Sequence, residues 1–278
     1  MYEIRFPTEA LRPYIENYWL VRPDAGPVDL SVNVFVDARA DLIFNFGAPY
    51  QRERLGGATR EIRHSNLDAQ RLTPIRITQR GDVRVSGVRF RLGGLGAFVA
   101  PLRAWTDETP TPHEVFGADA ARLEQALQEP FDLDAHTALY DAFFTERLSA
   151  DGTYATFTRA LDALVADPSL SVDALARAVD VSPRHVERLF ARHLGIAPKT
   201  LARVVRFQNA LRRLMKDPGV PLATVAAETG YFDQAHFVRD FKRMSGGVPR
   251  GYRGYYPPDG PSDFAPNVVV FVQDDPEA

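Results

Sequence analysis

The 278-residue sequence contains no cysteine. That absence excludes disulfides, thiolate zinc sites, iron–sulfur clusters and every mechanism that needs a cysteine nucleophile. No stretch reaches the 18 or so consecutive apolar residues of a membrane span, and Met1–Phe6 lacks the basic-then-apolar layout of a signal peptide, so a cytoplasmic protein is expected. Histidine is also sparse. In the first half His64, His113 and His136 stand far apart, without the His-x-His or His-x-x-x-His spacing that sets two imidazoles on one metal. Gly93–Gly96 lacks the downstream Lys-Ser/Thr of a phosphate-binding loop and reads as a turn. No catalytic constellation remains, and neither an enzymatic activity nor a metal or other cofactor is expected.

What is present suits a globular protein with a substantial core: 45% of residues are hydrophobic and 25% charged. The length fits two domains of ordinary size. The net charge of -3 hides a strong asymmetry. Residues 1–150 carry 17 Lys+Arg against 21 Asp+Glu, residues 151–255 carry 16 against 10, and residues 256–278 carry none against 5. A basic segment of about a hundred residues between two acidic ones fits a module that binds a polyanion.

Between Val28 and Arg91 short alternating runs rich in β-branched and aromatic residues read as strands, among them 30–36, 41–46, 75–77 and 83–90. In 41–46, Leu42, Phe44 and Phe46 share one face, as in a strand with one buried side. Turns are expected at Asp37–Arg39 and Arg80–Asp82. Residues 119–128 and 134–148 read as amphipathic helices. The expected fold class is α+β: a β-barrel or sandwich with following helices over 1–150, then an all-α domain over 151–255. Aromatics such as Trp19 and Phe44 either line a small-molecule pocket or fill the core, and for any single one core filling is the expectation.

The basic segment holds one unit twice. Residues 175–192 align with 225–243: Ala176 matches Ala226 at an offset of 50, whereas His185 with His236, Arg188 with Arg239 and Phe190 with Phe241 are offset by 51. One residue has been added in the second turn. Each copy has the logic of a helix-turn-helix: a short helix with a small alanine at the crossing, a tight turn at Asp180 or Gly230, then Ser182 or Asp233 as N-cap of a second helix. In that second helix Val186, Leu189 and Phe190, or Phe237, Phe241 and Met244, face inward. The outward faces carry Arg184, Glu187, Arg188 and Arg192 in one copy and Gln234, His236, Arg239 and Arg243 in the other, the donors and acceptors that reading base edges requires. Between the copies, 200–216 carries an apolar stripe at helical spacing, ended by Asp217-Pro218-Gly219. Such a helix spans about 25 Å and would hold the two units roughly one turn of duplex apart.

The segments Ser182–Phe190, Gly195–Pro198, Gly230–Lys242 and Gly246–Arg253 resemble the DNA-binding domain of AraC/XylS-type transcription regulators, over about 170–253. Two small departures are Tyr231, where phenylalanine is usual, and Gly247, where a small polar residue is. The resemblance implies double-stranded DNA as partner, with Arg184, Glu187, Arg188, Gln234, Ala235, His236 and Arg239 facing bases. It implies that Arg192, Arg206, Lys242 and Arg243 meet phosphates, the last three with support of the fold as the alternative. Arg184 and Gln234 rank first; ion pairing inside the domain is the alternative for Arg188 and Arg239. A DNA-repair relative with the same unit transfers alkyl groups to cysteines, which this chain lacks.

The first half is similar, less strongly, to the regulatory domain of a branch of such regulators, in Leu11–Trp19, Asp41–Gly47 and Gly87–Gly94. That likeness implies a cupin-like barrel for effector binding or dimerisation, and so a small-molecule effector and a homodimer as partners to consider. In the acidic tail, 256–278, residues 267–273 form a strand signal expected to add to a sheet edge or dock on the other domain. The competing function is a small-molecule-binding or catalytic barrel whose helical domain mediates protein contacts.

Overall fold

The computed structural model describes residues 2–22, 27–252 and 270–271. Among the described residues ten strands form two five-stranded antiparallel sheets. The first runs β1 (Tyr2–Arg5), β2 (Ile15–Val21), β9 (Val85–Phe90), β4 (Asp41–Asn45), β7 (Asn66–Asp68) in spatial order. The second runs β10 (Val270–Phe271), β3 (Val28–Val34), β8 (Ile75–Gly81), β5 (Tyr50–Arg54), β6 (Thr59–Ile62). Neither closes on itself, so of the two expected all-β forms the arrangement is that of a sandwich.

Side-chain alternation explains the layering. In β4, Leu42 and Phe44 are fully buried while Asp41, Ile43 and Asn45 are half-buried. Trp19 of β2 lies opposite Gly87 of β9, and its ring fills the space a side chain would take there: a Cβ on Gly87 would come within 2.4 Å of it. β1 and β2 precede the stretch whose composition signalled strand. Val270 and Phe271 pair antiparallel with Asn33 and Val32 on the edge of β3, and the rest of 267–273 lies outside the described residues.

Between the strands lies a buried ionic network. Arg89 donates to Asp41 (2.8 Å) and Asp37 (2.6 Å), Arg71 pairs with Asp37 (3.7 Å) and Asp68, and Arg52 pairs with Asp68 (3.1 Å). Burial alone would raise the Asp37 carboxyl, but Arg89, Arg71 and Arg39 outweigh it and hold the group below the usual carboxylate range. At Asp41 burial prevails and the shift is upward.

Three helices follow: α1 (Pro112–Phe116), α2 (Ala118–Ala126) and α3 (Leu133–Arg147). α3 packs on β1 and β2 through Tyr18 and Tyr140, with ring centroids 5.0 Å apart, and Tyr18 Oη donates to Asp141 at 2.8 Å. After residue 150 come α4 (Gly152–Ala166), α5 (Val172–Ala178), α6 (Pro183–His193), α7 (Pro198–Lys216), α8 (Leu222–Glu228) and α9 (Gln234–Ser245). One apolar cluster runs through both halves, from Leu11 to Met244. Among the described residues no helix is long and apolar enough to cross a membrane, and no group of three or more His, Asp or Glu is placed to hold a metal ion.

Candidate nucleic-acid interface

The duplicated sequence produces two units with the same turn and cap hydrogen bonds. Asp180 and Gly230 take positive φ (56° and 77°), which turns the chain sharply after α5 and α8. The next residue closes each turn: Val181 N–H donates to Ala176 O at 3.0 Å, and Tyr231 N–H to Ala226 O at 2.9 Å. Ser182 caps α6 by accepting from His185 N–H at 3.2 Å, and Asp233 caps α9 by accepting from His236 N–H at 2.6 Å. The alanines Ala176 and Ala226 are buried where the helices cross, and Val186, Leu189, Phe190, Phe237, Phe241 and Met244 are buried inside.

The remaining faces point outward. Arg184, Glu187, Arg188 and Arg192 on α6 are exposed, as are Gln234, Ala235, Arg239, Lys242 and Arg243 on α9, while His236 is half-buried. Among the described residues no carboxylate lies within ion-pair distance of Arg184, Arg188, Arg192 or Arg239; Arg188 donates instead to His185 Nδ1 at 3.1 Å. Their guanidinium groups are therefore available to an external acceptor. Lys242 is similarly placed, whereas Arg243 lies 3.6 Å from Asp240. Arg206 is half-buried on α7, donates to Pro168 O at 3.1 Å and stands over the Tyr231 ring, so it is engaged within the domain.

Two residues that sequence reasoning did not single out organise the second unit. Asp240, on the inner flank of α9, is buried and accepts from Arg203 of α7 at 2.9 Å. Its second oxygen faces His236 at 3.6 Å. This charge pair fixes α9 against the helix that joins the units. An acidic residue four positions after His236 and a basic one on α7 were visible in the sequence, but nothing there indicated that they meet.

The N-terminal half holds the C-terminal ends of both α6 and α9. At α6, Leu102 N–H donates to Arg192 O (3.0 Å), Gln70 Nε2 to Leu194 O (2.6 Å) and Thr106 Oγ1 to Gly195 O (3.2 Å). His193 is buried there, its Nε2 3.1 Å from Thr153 Oγ1 and its Nδ1 3.4 Å from Gly96 O. Burial lowers its pKa. At α9, Val36 N–H donates to Met244 O (3.3 Å), and Val36 O accepts from Gln208 of α7. Beside this contact a cleft of about 640 Å³ opens between the halves, lined by Tyr14, Arg39, Tyr154, Val205, Gln208 and Arg212 among others.

The family described as "Helix-turn-helix domain" matches residues 175–255. Two curated proteins that name such regulators align here. The HTH-type transcriptional regulator GlxA of Rhizobium meliloti is 32% identical over 50% of this chain and 43% of its own length. The arabinose operon regulatory protein of Escherichia coli is 32% identical over 32% of this chain and 30% of its own length. The C-terminal domain is of the AraC type. The AraC-type match thus spans less than half the length of these curated relatives. Residues 3–110 match a family described as "Domain of unknown function (DUF6597)". Among solved structures, ToxT from Vibrio cholerae is similar at a TM-score of 0.46 and 10% identity, covering 82% of this chain and 97% of that one. An AraC-type regulator from Chromobacterium violaceum is similar at a TM-score of 0.36 and 27% identity, covering 39% of this chain and 98% of that one.

Proposed function

We propose that the chain is a sequence-specific DNA-binding transcription regulator rather than an enzyme, and that α6 and α9 enter successive major grooves on one face of the duplex. The observation that carries this is the pair of capped helices whose exposed faces hold Arg184, Glu187, Arg188, Gln234, Ala235 and Arg239, the arginines without carboxylate partners among the described residues. Arginine bidentate to guanine and glutamine bidentate to adenine are the standard pairings, each giving about 1–3 kcal/mol of discrimination. Half-buried His236 completes the base-facing set, and Arg192, Lys242 and Arg243 flank it as phosphate contacts. Arg206 acts there through its support of the Tyr231 turn.

In vitro selection of bound duplexes followed by footprinting tests the reading. Two protected patches one turn apart support one chain reading two grooves, and four indicate a homodimer. Arg184→Ala is expected to relax sequence preference at one position, whereas Arg243→Ala lowers affinity for all sequences alike. Affinity should fall with salt at a log–log slope of about -0.9 per neutralised phosphate. A flat salt dependence would favour the competing role in protein contacts.

Effector control is the second part of the proposal, and the cleft between the halves favours it. Its size lies within the usual range of small-molecule pockets, about 300–1,000 Å³. Gln208 reaches it almost wholly buried, with Oε1 lacking a hydrogen-bond partner. Burial and the neighbouring Arg39 cation both push the Arg212 pKa down, a site that an anionic ligand would relieve.

A further inference from the structure

The two units differ by one residue, and their backbone hydrogen bonds say which one. Val181 and Tyr231 close equivalent turns at an offset of 50, while the caps Ser182 and Asp233 are equivalent at an offset of 51. The residue left over is Phe232. It is 93% exposed, well beyond Phe6 at 64%, the next of the exposed large hydrophobic residues.

An apolar residue just before an N-cap ordinarily folds back onto the fourth residue of the helix. In α9 that residue is Phe237, and its partner is Tyr231, with ring centroids 5.3 Å apart. Phe232 is left without a packing role, directly ahead of Gln234 and Ala235 on the exposed first turn. The first unit has no counterpart and presents Arg184, Glu187 and Arg188 instead.

We infer that Phe232 is a specificity residue that meets the C5 methyl group of a thymine, and that the two units read chemically different steps. The second reads A·T pairs, through Gln234 on adenine and Phe232 with Ala235 on thymine methyl groups. The first reads G·C pairs, through Arg184 and Arg188 on guanine and Glu187 on the cytosine amino group. The operator is therefore asymmetric in composition, with a G·C-rich patch about one turn from a T-containing one. This rests on the DNA-binding reading above.

The test uses the full chain and a duplex obtained by in vitro selection, with each thymine replaced in turn by deoxyuridine, which removes only the methyl group. At least one position, the thymine that Phe232 meets, is expected at which the wild type loses about fourfold in affinity, equivalent to about 0.8 kcal/mol for one buried carbon group. Phe232→Ala should bind both duplexes alike at that position while melting at the wild-type temperature. Arg184→Ala should keep the uracil sensitivity. Equal uracil sensitivity in Phe232→Ala, or no sensitivity in a wild type that does bind duplex, would overturn the inference. So would loss of a protein partner on Phe232→Ala with DNA selectivity unchanged. A wild type that binds no duplex at all sinks the DNA-binding reading itself.

Discussion

His193 shows how one side chain ties chemistry to architecture. It sits on α6, yet its ring is enclosed by Thr153 and Gly96, and burial favours its neutral form. A histidine whose folded pKa lies below its ordinary 6.5 contributes stability that is fully present above pH 6.5. Below that pH the unfolded chain takes up protons that the folded chain resists, and stability falls until the folded pKa is passed. Melting temperature is therefore expected to drop between pH 7 and pH 5. His193→Gln should flatten that dependence, leaving the part due to His136, whose pKa is lowered by burial in the same way. An unchanged slope in His193→Gln would show that the ring titrates freely.

At the scale of elements, α7 decides whether the units act together. Its 19 residues bury one continuous stripe, and Arg203 binds Asp240 of α9. One alanine inserted after Arg212 would turn everything beyond it by about 100° and shift it about 1.5 Å. On the two-groove reading proposed above, the two units would then no longer address one face of a duplex, and footprinting should show a single protected patch. The helix-turn-helix units were legible in the sequence because their determinants are local: a cap, a residue tolerating positive φ and a small residue at the crossing lie within one short window. α2, α3 and α7 were legible for the same reason, to within two residues at either end. The pairing of strands was not, because it joins residues far apart, such as Trp19 and Gly87. β1 is a four-residue edge strand, too short to show a period. The sequence also showed that the second turn had gained a residue, but only hydrogen bonding identified it as Phe232. The contacts that hold α6 and α9 to the N-terminal half left no trace in the sequence, since Arg192, Leu194 and Met244 take part through backbone oxygens, which every residue has.

On the scale of the whole molecule, one apolar cluster spans both halves, so heating should produce a single cooperative transition followed alike by far-ultraviolet and aromatic signals. Two separated transitions would contradict a shared core. Gly96→Val tests the seam directly, because a Cβ there would meet His193 O at 2.2 Å. It should lower that one transition temperature rather than split it.

The grip of Leu102, Gln70 and Val36 on the ends of α6 and α9 also bears on how this protein can be recombined with others. A chimera spliced near residue 150 would bring a foreign N-terminal half lacking the matching donors, leaving Arg192 O, Leu194 O and Met244 O without their partners. Exchanging the N-terminal half of this protein therefore requires grafting its own loops around Gln70, Leu102 and Val36 onto the incoming half, so its two halves have to evolve as a matched pair.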